Sequence, residues 1–196
     1  MIAEQFIILA VLIHVIGTIG YMIDTLKGIT KPNKVTWFLW ALFPMIAFAA
    51  MLDKGAELPA LIMVFMAGFM PLMVFCSSFI NKKAFWKITR FDYICGFLSV
   101  FGLCLWLITR EGNIAIIFSI IADGLALLPT LVKSYKFPET ESWLLFSNVA
   151  ISSAIVLLII KDWTFASVAF PIYGFFACST LFILIRFEVG PRLRSI

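Results

Sequence analysis

The two stretches that decide the fold are KGITKPNKVTW, residues 27–37, and KSYKFPETESW, residues 133–143. Both read Lys, four residues, Pro, three residues, and then Thr or Ser before Trp. Sliding the chain against itself by 106 positions superposes them, pairs Gly68 with Gly174, and lays three hydrophobic runs on three others. Self-similarity at one fixed offset predicts an internal structural repeat.

Around these stretches lie seven apolar runs, each close to the length of about 20 residues that a bilayer-spanning helix needs. We place them at 4–26, 34–52, 58–80, 91–109, 114–135, 140–160 and 163–186. The chain is 63% hydrophobic and 13% charged, whereas soluble chains are about 45–50% apolar and about 25% charged. This composition excludes a soluble domain and an intrinsically disordered chain. The breaks are short, so residues 1–196 form a single membrane domain whose first run remains as a span.

The expected fold class is an all-α polytopic membrane protein with seven transmembrane helices. Two parallel three-helix repeats, residues 4–80 and 110–186, are joined by a connector helix at 91–109 and followed by a cytosolic tail at 187–196. Three is an odd number, so the connector is needed to bring the second repeat in with the same orientation. Parallel repeats are related by an axis along the membrane normal and enclose a cavity near mid-membrane.

The distribution of basic residues predicts the orientation. Twelve Lys and Arg residues fall on one side of the predicted spans, and three, Lys54, Arg110 and Lys161, fall on the other. Short cytoplasmic loops carry the excess of Lys and Arg. We therefore expect an integral protein of the plasma membrane or bacterial inner membrane, with its N-terminus outside and its C-terminus cytosolic.

With this 3+1+3 plan, nearly the whole chain resembles the SWEET / PQ-loop superfamily of small-solute transporters. In that superfamily a Pro-Gln pair kinks the first helix of a repeat, and a basic residue follows it. Here Pro129-Thr130 occupies that position before Lys133, and Ile23-Asp24 occupies it in the first half. In the last span Pro171 is followed by Ile172, where sugar-carrying members of the superfamily have Pro-Asn. The resemblance implies a membrane transporter for a small solute.

The chain is also similar in plan to the PnuC vitamin transporters, which carry a Trp-x-x-Trp motif and an Asn on a core helix of the substrate site. Trp37 and Trp40 have that spacing in the first half. In the second half Trp143 is followed by Phe146, and Asn148 comes two residues later. This resemblance implies that Trp40 and Asn148 lie at a substrate site.

Polar residues at the centres of the spans are the candidate site. His14, Asp123, Asn148 and Tyr173 each lie eight to ten residues into a span, about 12–15 Å deep at 1.5 Å per residue. Ionisable residues at this depth are costly and are functional candidates by default. Ser152, one turn beyond Asn148, is on the same helix face. The alternative for Asn148 and Ser152 is hydrogen bonding between helices, which is common in membranes.

Asp123 is the strongest candidate, because a carboxylate at mid-membrane without an obvious Lys or Arg partner is poorly solvated. It would bind a proton during the cycle or hold a cationic group of the solute; the alternative is a structural carboxyl. His14 is either a site residue or a packed histidine. Trp40 is expected to line the cavity, whereas Trp37 and Trp143 fit the interfacial aromatic belt.

Three prolines are candidate hinges. Pro44, Pro129 and Pro171 lie inside predicted spans, where each removes a backbone hydrogen bond and clashes with the preceding turn. They either allow the helices to bend during alternating access or form static kinks.

Several classes of function are excluded or disfavoured. No HExxH or GxSxG motif occurs, and no Lys lies in the interior of the last span, which excludes a retinal Schiff base. The four Cys are scattered singly, without a CxxC pair or a His cluster, so we expect no structural metal and no disulfide. Asp123 is the only deeply placed carboxyl in the predicted spans, so we expect no enzyme activity, and we expect no cofactor. A net charge of +4 reflects topology rather than nucleic-acid binding. We predict a secondary or facilitative transporter of a small polar or charged solute. A receptor or assembly protein with a one-sided pocket is the alternative, and self-association into a homo-oligomer stays open.

Overall fold

The computed structural model describes residues 2–81, 86–97 and 112–194, and these residues form helices joined by short loops. The first helices are α1 at Phe6–Lys27, α2 at Lys34–Asp53 and α3 at Leu58–Ser77, and the described part of α4 is residues 90–97. They are followed by α5 at Gly112–Lys136, α6 at Trp143–Ile159, α7 at Phe165–Arg186 and α8 at Val189–Arg194. A 3-10 turn at Pro138–Thr140 precedes α6. The rest of the predicted connector, together with Lys82, Lys83 and Arg110, lies outside the described residues.

Five of these helices, α1, α2, α3, α5 and α7, are long and apolar enough to cross a membrane. The helix α6 is apolar but has 17 residues, fewer than the predicted run at 140–160. The prediction placed its start too early, because Pro138–Thr140 forms a separate 3-10 turn and the chain is extended at Glu141 and Ser142. The described residues form no strand, and the protein is an all-helical, membrane-embedded chain.

Helix α1 has polar residues inside and apolar residues outside, the reverse of a soluble amphipathic helix. Its exposed large side chains include a set that recurs every three or four residues: Ile8, Leu12, Ile16, Ile19, Ile23 and Leu26. Its buried face carries Ala10, His14, Gly17, Thr18, Tyr21 and Thr25. A continuous apolar stripe of this kind is suited to contact with lipid. In water it would form a large exposed hydrophobic patch.

Most of the contacts between the six long helices recur when α1, α2 and α3 are exchanged for α5, α6 and α7; the contact of α3 with α6 has no comparable counterpart between α7 and α2. Helix α2 packs on α3 as α6 packs on α7, α1 packs on α3 as α5 packs on α7, and α1 packs on α6 as α5 packs on α2. Helices α3 and α7 contact each other. Adding 106 to the bounds of α1, α2 and α3 also reproduces the bounds of α5, α6 and α7 to within three residues.

At one end of the bundle, a buried ion pair of the second half is hydrogen-bonded to two residues of the first half. Lys133 Nζ lies 2.6 Å from Glu141 Oε1, and both residues are almost fully buried. Lys133 also donates a hydrogen bond to the backbone carbonyl of Lys31, and Tyr21 donates one of 2.8 Å to Glu141 Oε2. The Trp86 ring covers the ammonium at 4.8 Å. We call this group the Lys133 network, and its end of the bundle the Lys133 end.

The burial of Lys133 was not part of the expectation from the sequence. The charge count used Lys133 only to assign one side of the membrane, whereas its side chain is turned into the bundle, where Glu141 compensates its charge. A buried ammonium needs such a partner, because an unpaired charge in a low-dielectric interior is very costly.

The connection between α1 and α2 is fixed by local hydrogen bonds. Gly28 ends α1 with a φ of 79°, the left-handed conformation that glycine adopts without strain. Asn33 caps α2 by accepting from the backbone N–H groups of Val35 and Thr36 at 3.1 and 3.4 Å. The Asn33 amide also donates to Asp92, which accepts from the Thr89 hydroxyl at 2.5 Å. The start of α4 is thereby attached to the start of α2.

At the opposite end, the loop before α3 meets the loop before α7. Glu57 accepts hydrogen bonds from the backbone N–H groups of Lys161, at 3.0 Å, and of Asp162. Lys161 also reaches Glu4 at 2.5 Å, and its hydrogen bond lowers the pKa of that carboxyl. Because Glu4 and Lys161 are solvent-exposed, their pair contributes little stability. We call this end the Glu57 end.

The predicted tail contains a short helix packed on α5. Gly190 in α8 lies against the backbone of Tyr135, so closely that a Cβ there would fall 1.7 Å from the Tyr135 carbonyl oxygen. Arg194 donates a hydrogen bond of 2.9 Å to the Lys136 carbonyl. Residues 187–194 are therefore docked at the Lys133 end.

The Lys133 network generates a prediction about stability. Glu141→Gln leaves the Lys133 charge buried without its counter-ion, and breaking a buried pair costs about 3–5 kcal/mol. We expect a clear fall in the unfolding temperature of the detergent-purified protein. Adding Lys133→Met to Glu141→Gln removes the orphaned charge and should recover much of the loss. A Glu141→Gln protein as stable as the original would contradict a stabilising role for the pair.

Candidate functional site

A cavity lies between the two sets of three helices, and all six helices contribute to its wall. The first half contributes His14 and Thr18 from α1, Trp37, Trp40 and Pro44 from α2, and Met63, Ala67 and Pro71 from α3. The second half contributes Asp123 and Leu127 from α5, Leu145 and Phe146 from α6, and Phe170, Tyr173, Ala177, Cys178 and Leu181 from α7. The space open to the centre of a water molecule is about 90 Å³. About 10–15 Å³ of such space holds one water, so the cavity has room for about six waters or one small solute.

Two packed apolar clusters flank the cavity. The one towards the Glu57 end is built mainly from small and aliphatic side chains and includes Ala47, Met51, Ala60, Val64, Ile116 and Val156. The one towards the Lys133 end is richer in large side chains and includes Tyr21, Trp37, Leu127, Leu145, Leu181 and Ile185. Each cluster shares residues with the cavity wall. The cavity is therefore a gap in the packing at the middle of the bundle.

Asp123 is the carboxylate of this cavity. It is 6% exposed and lies near the middle of α5. Tyr173 of α7 donates a hydrogen bond of 2.6 Å to Asp123 Oδ2. Among the described residues Asp123 forms no ion pair, since the two ion pairs found there are Lys133–Glu141 and Lys161–Glu4. A single neutral donor thus faces a carboxylate inside the membrane-spanning part of the bundle.

His14 faces the same cavity from α1. Its side chain is 3% exposed, and its Nδ1 atom has no hydrogen-bond partner in the described part of the chain. The neighbouring Thr18 donates its hydroxyl proton to the His14 backbone carbonyl at 3.0 Å, so that proton is already engaged. A buried polar atom without a partner is uncommon and needs an explanation such as a bound ligand or water.

Aromatic rings make up much of the remaining wall. Trp40 packs edge-on against Trp37, with ring centroids 5.2 Å apart, and against Phe146 at 6.3 Å. On the α7 side, Phe170 packs edge-on against Tyr173 at 5.8 Å. The rings come from α2, α6 and α7 and enclose the cavity from several directions.

The two other tryptophans considered from the sequence behave differently from each other. The interfacial-belt interpretation of Trp37 was wrong, because its ring is 2% exposed and packs on Tyr21 at 4.8 Å. Trp143 is 43% exposed and lies near the guanidinium of Arg186 at 5.6 Å. Its position fits an aromatic residue at a membrane surface.

Asn148 and Ser152, which the sequence grouped with the other candidates, do not line the cavity. The Asn148 amide donates to the Ile13 carbonyl at 3.1 Å, and the Ser152 hydroxyl donates to the Ala10 carbonyl at 2.7 Å. Both bonds run from α6 to the backbone of α1. These two residues therefore join α6 to α1, as the alternative interpretation predicted.

The predicted hinge prolines differ in their position relative to the cavity. Pro44 lines the cavity from α2, whereas Pro129 and Pro171 are buried in α5 and α7 and are not among the lining residues. Pro71 in α3 does line the cavity and was not singled out from the sequence.

The 106-residue offset would have found several lining residues that sequence reasoning missed. It pairs Trp40 with Phe146, Ala67 with Tyr173 and Pro71 with Ala177, and both members of each pair line the cavity. Thr18, Cys178 and Phe170 had no comparable signal. Among the described residues, no three His, Cys, Asp or Glu side chains come together to hold a metal ion.

Comparison with protein-family models, with curated proteins and with solved structures finds no match for this chain. The resemblances to the SWEET / PQ-loop superfamily and to the PnuC transporters therefore stay predictions from the sequence.

The contact between α1 and α6 generates a second prediction. A Cβ on Gly17 would lie 2.9 Å from Asn148 Cβ, so Gly17→Ala must displace Asn148 and weaken its bond to Ile13. Overpacking of this kind costs about 1–3 kcal/mol. Gly20→Ala is the matched control, because its nearest neighbour is Leu144 at an ordinary 3.9 Å. Thermal unfolding should show Gly17→Ala destabilised and Gly20→Ala unchanged or slightly more stable; equal effects would contradict a close helix contact at Gly17.

Proposed function

We propose that the protein is a secondary or facilitative transporter that moves a small polar or charged solute through the cavity between its two three-helix units. The observation that carries the proposal is that all six long helices line one cavity, with Asp123, Tyr173 and His14 facing it near the middle of the bundle. Transporters built from repeats hold their substrate near the bilayer midplane at the repeat interface. The size of the cavity supports a small solute.

The proposed architecture is that of two parallel three-helix repeats joined by a connector span, seven spans in all. Three observations support it: the helix bounds agree at an offset of 106, most helix contacts recur on exchange of the halves, and offset-related residues such as Trp40 and Phe146 line one cavity. The helix α4 supplies the start of the connector. This plan is also the one implied by the resemblance to the SWEET / PQ-loop superfamily.

Alternating access requires that the two flanking clusters part in turn. At the Glu57 end this means separating small apolar side chains such as Ala47, Ala60 and Val156. At the Lys133 end, Trp37 and Leu181 belong to the cluster that must part, and two hydrogen bonds between the halves must break: that of Tyr21 to Glu141 and that of Lys133 to the Lys31 carbonyl. Opening at that end is thus opposed by charge-assisted hydrogen bonds, which are stronger than neutral ones.

Two prolines are placed where bending would change the shape of the cavity. Pro44 and Pro71 both lie inside helices and both line the cavity. A proline removes one backbone hydrogen bond of its helix and weakens it locally. We therefore assign the hinge role to Pro44 and Pro71, while Pro129 and Pro171 stay candidates from the sequence.

We propose that the Lys133 end faces the cytosol and that the N-terminus lies outside, because the short loops at the Lys133 end carry most of the Lys and Arg. In a variant without native cysteines, Lys54→Cys should react with a membrane-impermeant thiol reagent added to intact cells, and Lys136→Cys should not. Both positions are exposed, so accessibility to the reagent depends on sidedness. If Lys136→Cys alone reacted, the orientation would be the opposite of the one proposed.

The transport proposal is tested with Asp123→Asn, which keeps the shape of the side chain and removes its charge. Solutes that raise the unfolding temperature are first selected from sugars, amino acids, vitamins and organic cations, since binding to the folded state stabilises it. Uptake of the selected solute into proteoliposomes should fall at least about tenfold in Asp123→Asn, the effect of about 1.4 kcal/mol. Asp53→Asn, a charge removed from an exposed site at the end of α2, is the matched control and should transport normally.

One outcome would contradict the role of Asp123, and another would contradict transport itself. If Asp123→Asn lowers the unfolding temperature but leaves uptake unaltered, Asp123 is a structural carboxyl. If the selected solute binds but never enters the vesicles, the protein is a receptor or assembly protein with a one-sided pocket.

A further inference from the structure

The chemistry of the cavity wall is more specific than the general proposal of a small polar or charged solute. One carboxylate, one unpartnered imidazole nitrogen and several aromatic rings face the same space. None of the lining residues in the described part of the chain is Lys or Arg. The wall is therefore acidic, aromatic and otherwise apolar.

We propose that the cavity binds a small organic monocation, an amine or quaternary ammonium compound without a carboxylate, with Asp123 as its counter-ion and the aromatic rings as its cage. This assignment rests on the proposed transport function and names the class of solute. It follows from Asp123, the Trp37–Trp40–Phe146 group and the Phe170–Tyr173 pair.

The charge of Asp123 is the first step of the argument. A carboxylate buried away from water requires a compensating positive charge or a full set of hydrogen bonds. The Tyr173 hydroxyl supplies one hydrogen bond, and the ion pairs of the described residues do not involve Asp123. A cationic solute supplies the missing charge when it occupies the cavity.

The aromatic rings are the second step. Trp, Tyr and Phe faces attract a cation within about 6 Å of the ring centroid, and cages of such rings are used to recognise quaternary ammonium groups. Trp40 lies between Trp37 and Phe146, while Phe170 and Tyr173 form the facing edge-on pair. Tyr173 belongs to both features, because its ring lines the cage and its hydroxyl holds the carboxylate.

The same wall disfavours other classes of solute. An anion, or an amino acid with its carboxylate, would meet Asp123 and no cationic side chain. A sugar needs many hydrogen-bonding partners, but the Thr18 proton is already engaged with the His14 carbonyl, and few polar side chains remain. Mg²⁺ and Ca²⁺ carry two charges, whereas Asp123 is the single carboxylate among the lining residues in the described part of the chain.

His14 is the second polar contact of the proposed ligand. His14 lines the cavity, and its Nδ1 atom is unpartnered within the described residues, as is the indole N–H of Trp37. A hydroxyl or amine N–H of the solute would satisfy the His14 nitrogen. The neutral imidazole is required for this role, because a cationic His14 would repel the ligand.

The experiment compares three compounds of the same shape: choline, its neutral carbon analogue 3,3-dimethylbutan-1-ol, and the anion 3,3-dimethylbutanoate. Choline should raise the unfolding temperature of the purified protein in a concentration-dependent manner, whereas the neutral and anionic compounds should not. Tetramethylammonium, which lacks the hydroxyl, is expected to bind more weakly than choline.

Two variants connect binding to the named residues. Asp123→Asn should weaken the apparent affinity for choline by roughly 100-fold or more, as breaking a buried charge pair does. Trp40→Leu should weaken it by about fivefold or more, the loss of one cation–π contact. Asp53→Asn should bind choline unchanged. Both cavity variants must first be shown to unfold cooperatively, so that a loss of binding is not a loss of fold.

The outcomes separate this inference from the transport proposal. Equal stabilisation by choline and by 3,3-dimethylbutan-1-ol, unaltered choline affinity in Asp123→Asn, or no stabilisation by either cation would overturn the monocation site. If a neutral solute is taken up in an Asp123-dependent manner while choline is not, transport stands and the cation assignment fails. If choline binds through Asp123 but does not cross the vesicle membrane, the cation site stands and transport fails.

Discussion

The hydrogen bonding of polar groups inside a membrane-spanning bundle is the constraint on which the structure depends. Lipid offers no hydrogen bonds, so every buried charge and polar atom must find its partner within the protein. Two buried carboxylates answer this requirement in different ways. Glu141 accepts from both Lys133 and Tyr21 and is satisfied within the described residues. Asp123 lines the cavity, and within the described residues it accepts a hydrogen bond from the Tyr173 hydroxyl alone.

This difference separates structural polar groups from functional ones. Asn148 and Ser152 donate to backbone carbonyls of α1, and the small Gly17 lets α6 come close enough for the Asn148 bond to form. Such bonds hold two helices together and leave nothing for a solute. Asp123 and His14 line a cavity that both halves of the bundle form, and there each can still bind a hydrogen-bonding or charged group of a solute. We expect a binding site in a membrane bundle where buried polar groups lack a full set of hydrogen-bond partners.

The length of apolar runs was sufficient to predict most of the helices, because a span must match the thickness of the hydrocarbon layer. The 106-residue offset located corresponding helices, but it did not show that Pro138–Thr140 would form a 3-10 turn and shorten α6. The depth of polar residues grouped Asp123, His14 and Tyr173, which line one cavity, but depth alone did not distinguish them from Asn148, which does not. That distinction depends on the rotation of each helix about its axis. The burial of Lys133 was likewise not predictable, because it depends on Glu141 from a loop that is eight residues away in sequence.

The central claim is that the space around Asp123 opens to each side of the membrane in turn. Ala177→Cys tests it most directly, since Ala177 lines the cavity and is small enough to be replaced without crowding it. In a variant without native cysteines, a membrane-impermeant thiol reagent is added to one face at a time, with Lys54→Cys and Lys136→Cys as markers of the two sides. The account predicts that Ala177→Cys reacts from both faces and that choline slows both reactions. Reaction from one face alone, or from neither, would contradict it.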